Sequence, residues 1–571
     1  MNRRSTLFSA LLVLLLLVII LFQVLSMIQS DRLYERLNQI AGVKSAQTHT
    51  EKVGNTTDNS SKDNGDWLVW HLTGEPRTLN PISVDSDMSS RYIYSRHIHE
   101  TLFYYDYDYD GVKLIPVLAE SMDVSDGGLE ITVKLKEKIW FSDGVPVTSD
   151  DVIFTYKTIM DPGIDAEDIR GYYSNIKDVI KVDNRTVKFV FNEVFWKTLE
   201  SIGIFDVLPE HIYKYSNPDE FNKRISNPVG SGPYLFEKWD VGQQVVLCKN
   251  ENYWGKKPQI ERLVFKFITN NAAALQALRS HDIDYMEATS AQYDEFSKDP
   301  EFKKDFKVLA YWEPSGGFSY IGWNQARELF KERKVRLALT MGMNRESISL
   351  NIHKGHSKVT SGPFYINGKQ NNPDIKPWPY DPEKAKELLS EAGWVDSNKN
   401  GIRDRNGREF RFKLSYPSGS PTTEQIIKAL KDDLSRIGVD LIPDPVEWSI
   451  FINKMHDKDI DAALSGWAGT IESDPFQLFH SSQTDGSNYF SIINPELDNL
   501  IVKARKTLEP EKRYELYHKF HQLVHEEQPY TFLFTRQTFA FVDNRFEDVK
   551  IHTLGVIPFE WYVPKEKQRY K

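Results

Sequence analysis

The chain is poor in cysteine. Cys248 stands alone among 571 residues, so no disulfide can form within the chain, and the strand-like run Gln244 to Cys248 reads it as a small core residue. Basic stripes are missing as well: Lys and Arg interleave with a larger number of Asp and Glu to a net charge of −10, which excludes a nucleic-acid footprint. No G-x-S-x-G, H-E-x-x-H, phosphate-binding loop or dinucleotide fingerprint occurs, so no nucleophile–base pair can be assembled and no enzyme is expected. No repeat of solenoid length is visible. Aromatics, by contrast, reach 13%, enough for a large core and for a cleft lined with flat side chains.

The N-terminus carries the one long apolar run. Arg3 and Arg4 precede a charge-free stretch from Leu7 to Leu25, long enough to span a bilayer as a helix. The arginines place its start in the cytoplasm and everything after Asp31 outside. Residues 1–30 are therefore expected to be a transmembrane anchor or uncleaved signal, with cleavage near Ser26 to Ser30 as the alternative. Residues 31–65 read as a juxtamembrane segment and flexible linker, polar from Thr48 to Gly65.

From Trp67 onward strands and helices alternate. Ile131, Val133 and Leu135 alternate with polar residues, as do Val187, Phe189 and Phe191, and both read as half-buried strands. Thr148 and Asp151 have capping-box spacing. Asp381-Pro382, Asn494-Pro495 and Glu509-Pro510 each predict a helix start, Thr422 or Thr423 another, and Gln528-Pro529 a stop. The class is mixed α/β.

Three local signals invite a chemical reading. Asp396, Asn398, Asn400 and Asp404 fall at oxygen-ligand positions of a calcium loop, but Gly407 stands where a bidentate Glu is needed, and a polar turn explains the same residues. His518, His521 and His525 share a helix stripe that could hold zinc or nickel; the apolar residues opposite predict instead that they lie in water. The run Tyr104 to Asp110 is either a ligand surface or a loop.

Longer segments carry a resemblance. Gly74-Glu75-Pro76-Arg77-Thr78-Leu79-Asn80-Pro81, Leu114 to Ser121, Trp140-Phe141-Ser142-Asp143-Gly144 and Asp150 to Tyr156 come in order. Gly230-Ser231-Gly232-Pro233-Tyr234, Asn250 to Trp254, Tyr320 to Asn324, Val335 to Leu339 and Tyr380 to Ala385 follow. Together they resemble the family 5 solute-binding proteins, the peptide- and nickel-binding class of ABC importers, over about residues 66–571. The resemblance implies a two-lobed periplasmic-binding-protein-like fold of type II, in the large variant of three subdomains, with a hinge. The first lobe would comprise 66–100, 216–318 and 529–571, with an inserted subdomain at 101–215, and the second lobe 319–528. It further implies an extracytoplasmic monomer without cofactor that captures a peptide between its lobes and delivers it to a permease and an ATPase. An oligosaccharide or nickel chelate on the same scaffold, or a tethered sensor without transport, are the alternatives.

In the family's peptide binders an aspartate three residues after a Trp holds the ligand's amino group. Here that position follows Trp467 and is Thr470, whose neutral hydroxyl cannot make a charge-assisted bond. Glu472 or Asp474 are the candidate replacements. Glu75 and Arg77 fall in a segment that lines the cleft in relatives, and Asn488 and Tyr489 are further candidates.

Overall fold

The computed structural model describes residues 65–570, Ile225 excepted. The expected anchor at 1–30 and the linker up to residue 64 lie outside the described residues. Among the described residues no helix is long and apolar enough to cross a membrane.

Two sheets organise the body. The first has seven strands in the order Phe306–Tyr311, Thr538–Asp543, Tyr285–Ala288, Trp67–Leu72, Arg262–Phe267, Gln244–Lys249, Tyr234–Asp240. Trp67–Leu72 is apolar almost throughout because both its faces are covered, as befits a strand paired in parallel on either side. Leu68, Trp70 and Leu72 join one core and Val69 joins another with Leu278, Met286 and Phe541. The second sheet has five strands in the order Asp440–Val446, Arg411–Pro417, Ala462–Trp467, Phe318–Trp323, Tyr530–Phe532. Helices Arg333–Met341, Pro382–Glu391 and Pro421–Ser435 cover one of its faces through Leu339, Leu389 and Leu430. Helices Trp448–His456, Pro495–Lys506 and Pro510–Glu527 cover the other through Phe451, Ile501 and Phe520.

A third, four-stranded antiparallel sheet (Ala119–Val124, Glu130–Leu135, Thr186–Phe191, Ile176–Asp183) lies within the segment expected as an insertion. Two of its strands alternate buried and half-buried residues along their whole length. Helix Ser149–Met160 opens with the Thr148–Asp151 capping box, Asp151 Oδ2 accepting from the Thr148 N–H at 2.8 Å.

The chain crosses between the large sheets twice, at residues 312–317 and again near 537. The return comes later than the expected 529. Tyr530–Phe532 pairs with Phe318–Trp323 in the second sheet, and Phe534–Arg536 pairs with Ser357–Val359, before Thr538–Asp543 enters the first. Proline at 529 stops the helix but does not change lobes. Pro421, capped by Ser420 rather than by Thr422 or Thr423, starts its helix.

The histidine stripe also departs from expectation. His521 and His525 are buried, because Pro510–Glu527 is covered on its polar side by the segment around Ser361 and Asn372. The Asn372 N–H donates to His521 Nδ1 at 3.1 Å, so the ring proton sits on Nε2 and is donated to Ser361 Oγ at 3.1 Å. Burial lowers the His521 pKa to about 4. An unfolded chain takes up that proton near pH 6.5, so the stabilisation is complete above that pH and is lost as pH falls towards 4. Urea unfolding between pH 7 and 4.5 should show a shallower acid loss for His521→Gln, the difference reaching about 2 kcal/mol. Parallel pH profiles would remove His521 from acid sensitivity.

Candidate functional site

In open sheets with parallel strands, ligands lie beyond the carboxyl ends of the strands. In the first sheet those ends bring together Leu72, Phe267, Ala288 and Tyr311. In the second they bring together Pro417, Val446 and Trp467, the last residues of three mutually parallel strands. The crossing segment 312–317 joins the two sets, so both face one cleft with the hinge at its base.

On the first-lobe side the cleft is acidic at the hinge. Glu287 comes one residue before the end of its strand and Glu313 two residues after the end of Phe306–Tyr311. Glu313 accepts a hydrogen bond from Thr538 Oγ1 at 2.6 Å, tying the two crossing segments together. Glu287 is exposed to water, yet desolvation, with the neighbouring Glu313 charge, holds its carboxyl above the ordinary range. Both hold for a carboxylate at the floor of a cleft, open to solvent but surrounded by protein. Glu313 is raised by desolvation too. Farther along the wall, the Arg96 guanidinium lies 3.9 Å from the Tyr104 ring centre and 4.3 Å from that of Tyr107. Tyr104 and Tyr105 belong to a short strand, and the loop proper starts at Asp106.

On the second-lobe side the cleft is aromatic. Trp467, half-buried, stacks in offset fashion with Tyr320 and Tyr489 at 6.4 and 6.2 Å, their planes within 9° and 15°. Trp448, which opens the helix after Asp440–Val446, is 58% exposed and is the large apolar side chain most available to a ligand here. Sequence reasoning passed over Trp448, Arg96, Glu287 and Glu313. The usable signal was positional: polar or aromatic residues at the ends of otherwise buried strands.

The residues singled out from sequence have varied surroundings. Thr470 is exposed and its hydroxyl donates to the Glu472 carbonyl at 2.7 Å. The Glu472 side chain is fully buried: Oε2 takes Arg513 at 3.1 Å, while Oε1 takes the Tyr514 hydroxyl at 2.5 Å and the Val112 N–H at 2.8 Å. Asp474 pairs with Arg505 at 3.1 Å and caps the turn at Phe476. Glu75 accepts from Trp239 Nε1 and the Gly242 N–H, and Arg77 lies in solvent 3.7 Å from Asp85. Asn488 is buried and bonds to the backbone of His480 and Ile492. In the loop from Asp396, the oxygens of Asp396, Asn398, Asn400 and Asp404 accept the backbone N–H groups of Asn400, Gly401, Ile402 and Ser397, which is how a polar turn holds its shape. Of the eight candidates, Trp467 is half-buried and stacks on the buried Tyr489, Thr470 is exposed, and the carboxylates of Glu472, Asp474 and Glu75 have internal partners.

The segment expected as an insertion also reaches residues of the second sheet's coverings. Besides Val112 to Glu472, Lys369 Nζ donates to the Tyr109 hydroxyl at 2.9 Å, and Trp196 Nε1 to the Tyr517 hydroxyl at 2.9 Å.

Comparison with known proteins agrees with the two-lobed fold. The profile described as bacterial extracellular solute-binding proteins, family 5 Middle, matches residues 113–489. The oligopeptide-binding protein AppA of Bacillus subtilis is 32% identical over 536 residues, covering 90% of this chain and 94% of that one. Its structure in complex with a nonapeptide superposes with a TM-score of 0.71 at 30% identity, covering 88% of this chain and all of that one. NikZ from Campylobacter jejuni in complex with Ni(L-His) gives 0.70 at 26% identity, covering 87% and 99%.

Proposed function

The chain belongs to the bacterial extracellular solute-binding proteins, family 5, and on that premise we propose that it captures peptides between its lobes and presents the closed form to an ABC permease and its ATPase. The observation that carries this reading is the cleft: carboxylates at its hinge, aromatic side chains opposite, on a chain that aligns with AppA nearly end to end.

A peptide's backbone offers the same donors and acceptors whatever its sequence, so a cleft that bonds mainly to backbone accepts many sequences. Trp448 and Trp467 supply flat surfaces for side chains, and water fills the rest of each pocket. Closing the lobes removes bulk water and strengthens the charge contacts at the peptide's ends. Thr470 offers no charge for the ammonium end, and Glu472 and Asp474 already serve arginines. Glu287 and Glu313 are the carboxylates that face the open cleft. Binding shifts an open–closed equilibrium, and the closed form is what a permease distinguishes. We place the body outside the cytoplasm as a monomer, tethered by the apolar run from Leu7 to Leu25, which is long enough to span a bilayer and follows Arg3 and Arg4.

Native mass spectrometry of the full chain, purified without denaturation, tests the assignment. A ladder of peptide masses supports it. A single metal-chelate mass, the ligand class of NikZ, or a single sugar mass would sink the peptide reading while leaving the fold in place.

A further inference from the structure

The guanidinium of Arg96 is held without an ionic partner. Among the described residues it makes no ion pair and donates no hydrogen bond; what holds it is the pair of tyrosine rings, Tyr104 at 3.9 Å and Tyr107 at 4.3 Å. Its backbone is held too: φ is +63°, a conformation that costs a non-glycine residue free energy, and the Arg96 N–H donates to the His99 carbonyl at 3.0 Å. A guanidinium packed through its faces keeps its N–H groups in the plane of the fork free, and that fork matches a carboxylate with two parallel bonds. Much of the entropy normally lost in ordering an arginine has already been removed by the stacking, which favours an anchor over a solvated surface charge.

The place matters as much as the group. Tyr104 and Tyr107 belong to the segment that crosses to the second lobe, where Tyr109 meets Lys369. The Tyr107 ring also meets His552 edge-on at 6.2 Å, and His552 pairs across a hairpin with Gly555. A side chain at Gly555 would meet Glu313 Oε2 at 2.9 Å. A run of contacts therefore links Glu313 at the hinge to Tyr107 beside Arg96, and within it His552 is held by Asp108 at 2.7 Å and Glu560 at 3.1 Å.

The geometry points to Arg96 as the residue that receives the free carboxylate of the bound ligand, which fixes the ligand's direction with its ammonium end towards the hinge. This inference rests on the peptide reading above and adds a polarity to it.

The test compares pools of randomised tri-, penta- and nonapeptides, with either a free C-terminal carboxylate or a C-terminal amide, by titration against the full chain. The wild type should bind a free-acid pool about 10- to 100-fold more tightly than the matching amide. Arg96→Gln should bind both forms equally, at the level of the amide, and Arg96→Lys should fall between. An acid preference unchanged in Arg96→Gln, or affinities for both forms lowered alike, would overturn the assignment. If Arg96→Gln does not fold, the wild-type ratio decides together with Arg96→Lys, and a wild type indifferent to amidation overturns it. A wild type that binds neither form brings down the peptide reading itself, a distinct outcome.

Discussion

Gly317→Ala is expected to destabilise the protein by about 2 to 6 kcal/mol and to abolish ligand capture in whatever fraction still folds. Gly317 ends the first crossing segment with φ +53° and ψ −145°, a region open to glycine and closed to residues with a Cβ. The space is closed as well. A Cβ there would lie 1.8 Å from the Trp467 carbonyl oxygen and 2.8 Å from the Gly469 nitrogen, both backbone atoms that cannot turn aside. Gly469 makes the reciprocal approach, its own Cβ position falling 2.1 Å from the Pro314 carbonyl oxygen. The hinge and the Trp467 loop thus pack backbone to backbone, and any side chain between them pushes Trp467 away from the cleft. Gly144→Ala is the control: its φ is +87°, but no atom lies within 4 Å of the added Cβ. That variant should lose only about 1 kcal/mol. Equal losses for the two variants, read from urea unfolding, would show that close packing at the hinge contributes nothing.

The second large effect is expected at Glu472. Glu472→Ala leaves Arg513 buried without its carboxylate, and the loss should be about 3 to 5 kcal/mol. Arg513→Met alone leaves Glu472 with the Tyr514 hydroxyl and the Val112 N–H but no cation, and should also be costly. The double variant should be less destabilised than the sum of the two, because neither charge is then stranded. Additivity in that cycle would mean that the pair is not coupled. Since the Val112 N–H is one of the groups that Glu472 holds, the variant should also expose the 106–112 loop to protease sooner than the wild type.

These two residues mark the limits of what the sequence could say. The helix starts at Asp381-Pro382 and Asn494-Pro495 were legible because a cap and its proline are adjacent in the chain. The strands at Ile131 and Val187 were legible because alternation is local. Glu472 looked like a ligand carboxylate because Trp467 was near it in sequence, while the arginine that claims it lies 41 positions further on. Asp474 and Arg505 repeat the case. His521 was read as solvated from a wheel that assumed a single covered face, and the helix has two. Arg96 and Glu287 belong to no motif: the rings that hold Arg96 are close in sequence but follow no recognisable spacing, and Glu287 is shaped by Tyr92 and Glu313, which come from other segments.

Asp66, the second described residue, accepts from Arg545 and from the backbone of Arg569 and Tyr570, while Arg545 also grips Asp284 at 2.6 Å. Strand Thr538–Asp543 is inserted between two strands made more than 200 residues earlier. A ribosome that has released the chain as far as Phe532 has therefore made a complete second sheet and an incomplete first one, with a gap where its second strand belongs. The order of synthesis and the order of assembly are opposed: the domain begun first must finish last, and a premature stop anywhere before Arg545 leaves its N-terminal strand without a lock.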